Sequence, residues 1–182
     1  SIIKEHHHVR SKSGLFDVSH MGEFIVSGNN AKTFLQNVTT NDIQKLEAGK
    51  VQYSAFCNDS GGVIDDLLVY HLGDYYMLVV NASNIEKNFE WLSSKLIDDV
   101  SLEDKSDSIS LLALQGPLSR THLKKLYPKI EDLKYYETLL PDNNGVIVAR
   151  TGYSGELGFE IYAPNSITVS YTHLTLPTNK AV

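Results

Sequence analysis

Cysteine is nearly absent from this chain: Cys57 is the single one in 182 residues, which excludes an intrachain disulfide and any multi-cysteine metal site. No histidine sits at a spacing that would pair with that thiol for nucleophilic catalysis, so a small buried strand residue is the expectation. Basic residues are outnumbered, 16 Lys and Arg against 22 Asp and Glu, for a net charge of -6. That balance disfavours nucleic acid or an anionic membrane as partner, since both select basic patches. No apolar run approaches the roughly 20 residues that span a bilayer. There is no Gly-x-Gly-x-x-Gly fingerprint for a dinucleotide, no internal repeat and no low-complexity linker. What remains is ordinary globular material, 42% hydrophobic and 21% charged, long enough for one large domain or two small intimate ones.

Periodicity predicts a helix ending near Lys12, with Gly14 as its stop signal, and strands over 15–20 and 22–27. Asn30 is placed to cap a helix whose apolar residues recur at Ala31, Phe34, Leu35 and Val38. Strands over 52–57 and 63–72 flank the Gly61-Gly62 turn, and another covers 75–81. A helix over 82–96 has Ile85, Phe89, Leu92 and Leu96 as its apolar stripe. Short strands follow at 102–103 and 110–114, a helix over 117–125 begins on Pro117, and a hairpin joins 145–151 to 158–162. The elements interleave without regular βαβ spacing, so the fold class is α+β with mostly antiparallel sheets. The run His6-His7-His8 does not read as a metal site, because helical neighbours splay by about 100° and cannot close on one ion.

The chemistry concentrates at Asn58-Asp59-Ser60-Gly61-Gly62-Val63-Ile64-Asp65-Asp66-Leu67-Leu68-Val69-Tyr70. Two carboxylates at the head of an apolar strand are unusual, because acidic residues are poor strand formers. Alternation sends Asp65 and Asp66 to opposite faces of the sheet. One can stay in solvent while the other points into whatever the sheet covers, as acid, base or anchor for a cationic ligand. The alternative is a pair that caps local amides of the turn. His20, beside Ser19, has no third partner for catalysis and suits a structural role in the turn before Gly22.

Six ordered blocks carry a resemblance. They are Phe16-Asp17-Val18-Ser19-His20-Met21-Gly22-Glu23, Thr39-Thr40-Asn41-Asp42, Gly61-Gly62-Val63-Ile64-Asp65-Asp66-Leu67, Val79-Val80-Asn81-Ala82, Leu114-Gln115-Gly116-Pro117, and Arg150-Thr151-Gly152-Tyr153-Ser154-Gly155-Glu156-Leu157-Gly158-Phe159-Glu160. Over about residues 1–165 the chain resembles the aminomethyltransferases of the glycine cleavage system, the T-protein family. The resemblance implies two interwoven α/β lobes, residues 22–104 inserted into 1–21 plus 105–167, with a C-terminal barrel that is missing here. It implies tetrahydrofolate as cofactor and the lipoylated H-protein as partner, with neither nucleic acid nor membrane. It also implies a cytoplasmic location in a bacterium or the mitochondrial matrix in a eukaryote.

The family's catalytic Asp corresponds to Asp66, which leaves Asp65 as the solvent-side or turn-capping member. By the same resemblance Glu160 accepts the pterin N–H donors, and Tyr153 contacts the folate from its glycine-flanked loop. Tyr53, Met21, Val79, Asn81 and Tyr135 match positions that line the folate pocket, so Asp66 is expected to face that pocket alongside Tyr153 and Glu160. An acidic-plus-two-His segment also belongs to the family at His6-His7-His8.

Two other classes share this fold: folate domains of sarcosine- or dimethylglycine-oxidising enzymes, and non-catalytic folate-binding proteins of iron–sulfur assembly. The latter carry a Lys-Gly-Cys-Tyr-x-Gly-Gln signature where this chain has Arg150-Thr151-Gly152-Tyr153-Ser154-Gly155-Glu156, without the Cys. Residues 168–182 break from the family pattern and read as an adapter-derived tail, and the chain is expected to be truncated at both ends. With a cleft acidic at Asp66 and Glu160, a fragment lacking its other half is expected to bind folate weakly and to turn over poorly alone.

Overall fold

The computed structural model describes residues 1–168, so the reading of 168–182 as a tail lies, Thr168 apart, outside the described residues. Every strand pairing is antiparallel, and the strands form two sheets among short helices. This is the α+β class the sequence predicts. Two compact units emerge among the described residues, Ser19–Asp107 and Ser1–Val18 together with residues 108–168.

The Ser19–Asp107 unit holds a five-stranded sheet. Its strands are β2 (Gly22–Ser27), β3 (Val51–Cys57), β4 (Val63–His71), β5 (Tyr76–Val80) and β6 (Ser101–Asp104), in the order β3-β4-β5-β2-β6. β5 is central and all five of its residues are buried, as a strand covered on both faces requires. One face of the sheet packs on the helix α2 (Ala31–Val38) through Phe34, Leu35 and Val38 against Phe24, Leu67, Val69 and Leu78. Full burial of each such side chain is worth about 1.5–3 kcal/mol.

Local details depart from expectation. The Asn30 side chain makes no cap hydrogen bond to α2; its Nδ2 donates to the Asp98 carbonyl at 2.9 Å instead. The helix read over 82–96 is a 3-10 turn at Ala82–Asn84 followed by α3 (Ile85–Ser93). Leu96 lies past its end and is exposed. The inward stripe of α3 is Ile85, Asn88, Phe89 and Leu92, with Asn88 fully buried. Cys57 is half-buried at the end of β3.

The other unit carries a four-stranded sheet of β1 (Gly14–Asp17), β7 (Ile109–Gln115), β8 (Ile147–Ala149) and β9 (Gly158–Pro164), in the order β1-β7-β9-β8. Leu112, Leu114, Val148, Phe159 and Ile161 build its core with Leu123 of α4 (Ser119–Leu123). Pro117 precedes that five-residue helix rather than opening a longer one. The first helix, α1 (Ile2–Ser11), buries no side chain, and Gly14 opens β1 rather than capping α1. No helix among the described residues is long and apolar enough to cross a membrane.

Candidate functional site

The turn before β4 is built by Asn58. Its Oδ1 accepts from the Ser60 and Gly62 backbone N–H groups at 3.1 and 2.8 Å, an Asx arrangement that fixes the turn locally. Gly61 adopts φ +82 there, a conformation glycine enters without steric cost. The cap of this turn is therefore Asn58, not the Asp pair. A β-bulge follows: Phe56 pairs with Asp65 while Cys57 pairs with Val63, leaving Ile64 as the extra residue. Its carbonyl accepts from Lys87 Nζ at 3.0 Å. Bulges re-aim side chains at the ends of strands, and here the two carboxylates come directly after one.

Alternation holds, but it sends Asp65 inward. Asp65 is 8% exposed, on the helix-covered face with Leu67 and Val69, so its expected place in solvent is corrected. It accepts from Asn88 Nδ2 at 2.6 Å and from Asn81 Nδ2 at 2.9 Å, and Asn84 adds a further side-chain hydrogen bond. Burial opposes ionisation of this carboxyl. The amides of Asn88, Asn81 and Asn84, with the Asp66 backbone N–H, more than offset it and hold Asp65 below the usual aspartate value. A carboxylate only accepts and an amide NH2 only donates, so three asparagines suit one buried anion.

Asp66 is half-exposed on the opposite face. Its Oδ2 accepts from the Tyr53 hydroxyl at 2.6 Å and its Oδ1 from Asn81 Nδ2 at 2.6 Å. The hydrogen bond to Asp66, and then its charge, raises the Tyr53 phenol above the ordinary tyrosine value. Tyr53 is itself 53% exposed. A single amide group, Asn81 Nδ2, thus touches both carboxylates. On the face of Asp66 the register runs Tyr53–Leu68–Val79–Glu23 across β3, β4, β5 and β2. Val79 is buried, as is the Glu23 carboxylate. Met21 is half-buried in the bend just before β2.

Glu160, Tyr153 and Tyr135 belong to the other unit and converge on Thr151-Gly152-Tyr153. Glu160 is 6% exposed on β9, and its Oε2 accepts from Thr151 Oγ1 at 2.5 Å and the Tyr162 hydroxyl at 3.2 Å. The Tyr135 hydroxyl donates to the Gly152 carbonyl at 3.2 Å. The Tyr153 side chain is 89% exposed.

Gln115, quoted in a motif but given no role by sequence reasoning, holds this loop from within. Its Oε1 accepts from Ser154 Oγ at 2.6 Å, and its Nε2 donates to the Thr151 and Phe159 carbonyls, both at 3.4 Å. From outside, Arg10 of α1 donates to the Ser154 carbonyl at 2.8 Å and pairs with Glu156 at 3.1 Å. The glycines are spaced by this packing. A Cβ on Gly152 would lie 2.6 Å from Gln115 Oε1, and one on Gly158 would fall inside the same amide. Gly158→Ala should therefore cost about 1–3 kcal/mol of stability, as overpacking does, and should be partly rescued by Gln115→Ala. Denaturant unfolding of both variants and the double checks this; additive losses refute it.

Asn84, Asn88, Thr151 and Tyr162 also escaped sequence reasoning, since each acts through a contact that no local spacing announces. The His6, His7 and His8 side chains lie on exposed α1. No group of three or more His, Cys, Asp or Glu side chains that could hold a metal occurs among the described residues.

An aminomethyltransferase of Chloroherpeton thalassium is 52% identical over 169 residues, covering 90% of this chain and 47% of that protein. One from a Geobacillus species is 49% identical over 185 residues, covering 99% and 51%. The chain thus spans about half the length of the curated relatives it matches. Among solved structures, glycine cleavage system aminomethyltransferase T from Bartonella henselae superposes with a TM-score of 0.90 at 32% identity, over 98% of this chain and 49% of that one. A heterotetrameric sarcosine oxidase of a Corynebacterium species shares the fold, with a TM-score of 0.64 at 18% identity over 94% and 88% of the two chains. The description GCVT N-terminal domain matches residues 1–175, and with that span the chain belongs to the GCVT N-terminal domain family.

Proposed function

We propose that this chain carries the folate site of a glycine-cleavage aminomethyltransferase. That enzyme moves a one-carbon unit from the aminomethyl-lipoyl arm of the H-protein to tetrahydrofolate and releases ammonia. One observation carries the reading: Asp66 is half-exposed, yet both of its oxygens are held, by Tyr53 and Asn81. A carboxylate so fixed can accept a proton or oppose positive charge without first reorganising. Family membership and the names of the relatives support the same conclusion.

The residues present fit a flat ligand rich in N–H donors. Glu160 is a carboxylate held in place by Thr151 and Tyr162, and carboxylates are acceptors suited to parallel N–H donors. Within the Ser19–Asp107 unit Tyr53 presents an exposed ring and Met21 a half-buried side chain, and within the other unit Tyr153 and Tyr135 are exposed; aromatic rings of this kind suit a flat ligand. Tetrahydrofolate, when bound, supplies the nitrogen nucleophile. With it bound, Asp66 would accept a hydrogen bond from that nitrogen and oppose positive charge at the reacting carbon, Asn81 and Tyr53 would hold Asp66, and Glu160 would accept the pterin N–H donors.

Titration calorimetry with tetrahydrofolate tests this, on this chain and on one extended to the length of its curated relatives. Glu160→Gln in the longer chain should weaken binding about tenfold, since a hydrogen bond to a charged group is worth about 1.5–3 kcal/mol. Tyr153→Ala should weaken it by a similar factor. Affinity unchanged by both substitutions overturns the assignment of the site.

A further inference from the structure

The geometry points to Asp65 as a positioning residue: clamped by Asn84 and Asn88, it holds the Asn81 amide that in turn orients the Asp66 carboxylate. The inference rests on the reading of Asp66 as the working carboxylate, but its test does not.

Asn81 Nδ2 donates to Asp65 Oδ1 at 2.9 Å and to Asp66 Oδ1 at 2.6 Å. An amide NH2 has two protons, and this nitrogen lies within hydrogen-bond distance of both carboxylates, with the Asp66 backbone carbonyl a longer contact at 3.4 Å. Asp65 cannot drift, because Asn88 Nδ2 holds its other oxygen at 2.6 Å from α3 and Asn84 bonds it from the preceding 3-10 turn. Asn88 is fully buried, so its rotamer is locked by packing on the sheet. Rigidity therefore passes from the buried helix stripe to Asp65, from Asp65 to Asn81, and from Asn81 to the half-exposed Asp66. Tyr53 completes the grip on the solvent side at 2.6 Å. Two adjacent carboxylates on a strand serve different ends: the inner one is a fixed post and the outer one is the group presented. A reacting group must be held within about 0.5 Å of its working geometry, and a strand residue next to a bulge gains from side-chain support of this kind.

Tyr53 reports the position of Asp66, because its hydroxyl titrates against that carboxylate. With tyrosines labelled at 13Cζ and Tyr53 assigned through Tyr53→Phe, its midpoint in the unmodified chain should lie above the ordinary value of about 10. Asp66→Asn should bring it down to that range and sets the full effect. The deciding variant is Asn88→Ala, which removes no charge and touches neither Asp66 nor Tyr53. Positioning predicts that the Tyr53 midpoint falls part of the way. A folded Asn88→Ala chain with an unmoved Tyr53 overturns the inference. If Asn88→Ala does not fold, Asn84→Ala makes the same comparison. In the unmodified chain, the Asn81 side-chain amide protons should shift as Asp65 titrates in the acid range; amide protons that do not respond also overturn it. Should Tyr53 shift as expected while Asp66→Asn leaves aminomethyl transfer intact, the positioning stands and the proposed function falls.

Discussion

Asp66→Asn, in a chain extended to the length of its curated relatives, should lower the rate of aminomethyl transfer to tetrahydrofolate by about 10²–10⁴-fold, the range that a positioned acid or base supplies. The substitution is nearly isosteric: the carbonyl oxygen of the introduced amide can still accept from Asn81 Nδ2, which now meets Asp66 Oδ1 at 2.6 Å, while its NH2 can donate to the Tyr53 hydroxyl oxygen. Shape is preserved; charge and basicity are lost. Asp65→Asn should cost far less, about tenfold, because the inner carboxylate acts through Asn81 and never meets substrate. The rate of methylenetetrahydrofolate formation with saturating aminomethylated H-protein measures both. Equal losses in the two variants would remove Asp66 from its role.

Asp65→Ala should produce a large stability loss in the Ser19–Asp107 unit. It strips the Asn88 amide, fully buried on α3, of the carboxylate it donates to at 2.6 Å, and it costs Asn81 and Asn84 one acceptor each. Hydrogen bonds to a charged group are worth about 1.5–3 kcal/mol, and a stranded buried donor costs a comparable amount, so a loss on the order of 3 kcal/mol at neutral pH is expected. Its pH dependence has a definite sign. The folded-state pKa of Asp65 is depressed, so its ionisation favours the folded state above the unfolded aspartate value of about 3.9. That contribution is complete well above this value, declines as pH falls through it, and is gone below the depressed folded pKa. The gap in unfolding free energy between the parent chain and Asp65→Ala should therefore narrow as pH drops below about 4. A gap that stays constant from about pH 6 to the acid limit of folding would show that Asp65 stabilises through packing alone.

Much of this architecture is written locally. The recurrence of Ala31, Phe34, Leu35 and Val38 at helical spacing needs no tertiary information to mark α2, and all four side chains are buried. Gly61 and Gly62 separate two alternating runs, and the hairpin of β3 and β4 forms there. The division of Asp65 from Asp66 is equally local, because the two-residue period of a strand puts neighbours on opposite faces whatever surrounds them.

Which face is covered is not local. Asp65 read as the solvent-side or turn-capping residue because the resemblance gave the catalytic place to Asp66, and the partners that bury Asp65 leave no local signal. Asn88 falls between Ile85 and Leu92 on the inward stripe, but a lone polar residue there carries no signal of its own. Only the packing of α3 on the sheet turned it toward β4 and created a polar pocket for the anion. Gln115 was hidden for the same reason: its neighbours Thr151, Ser154 and Phe159 lie 36, 39 and 44 residues further along the chain, and the glycines that make room for it read only as the flanks of the Tyr153 loop. Sequence by itself determined periodicity, turn chemistry and the alternation of the two carboxylates, since these depend on residues within a few positions of each other. Tertiary structure decided which carboxylate is buried and what holds each one, because burial and hydrogen-bond partners belong to surfaces that meet only when distant segments pack.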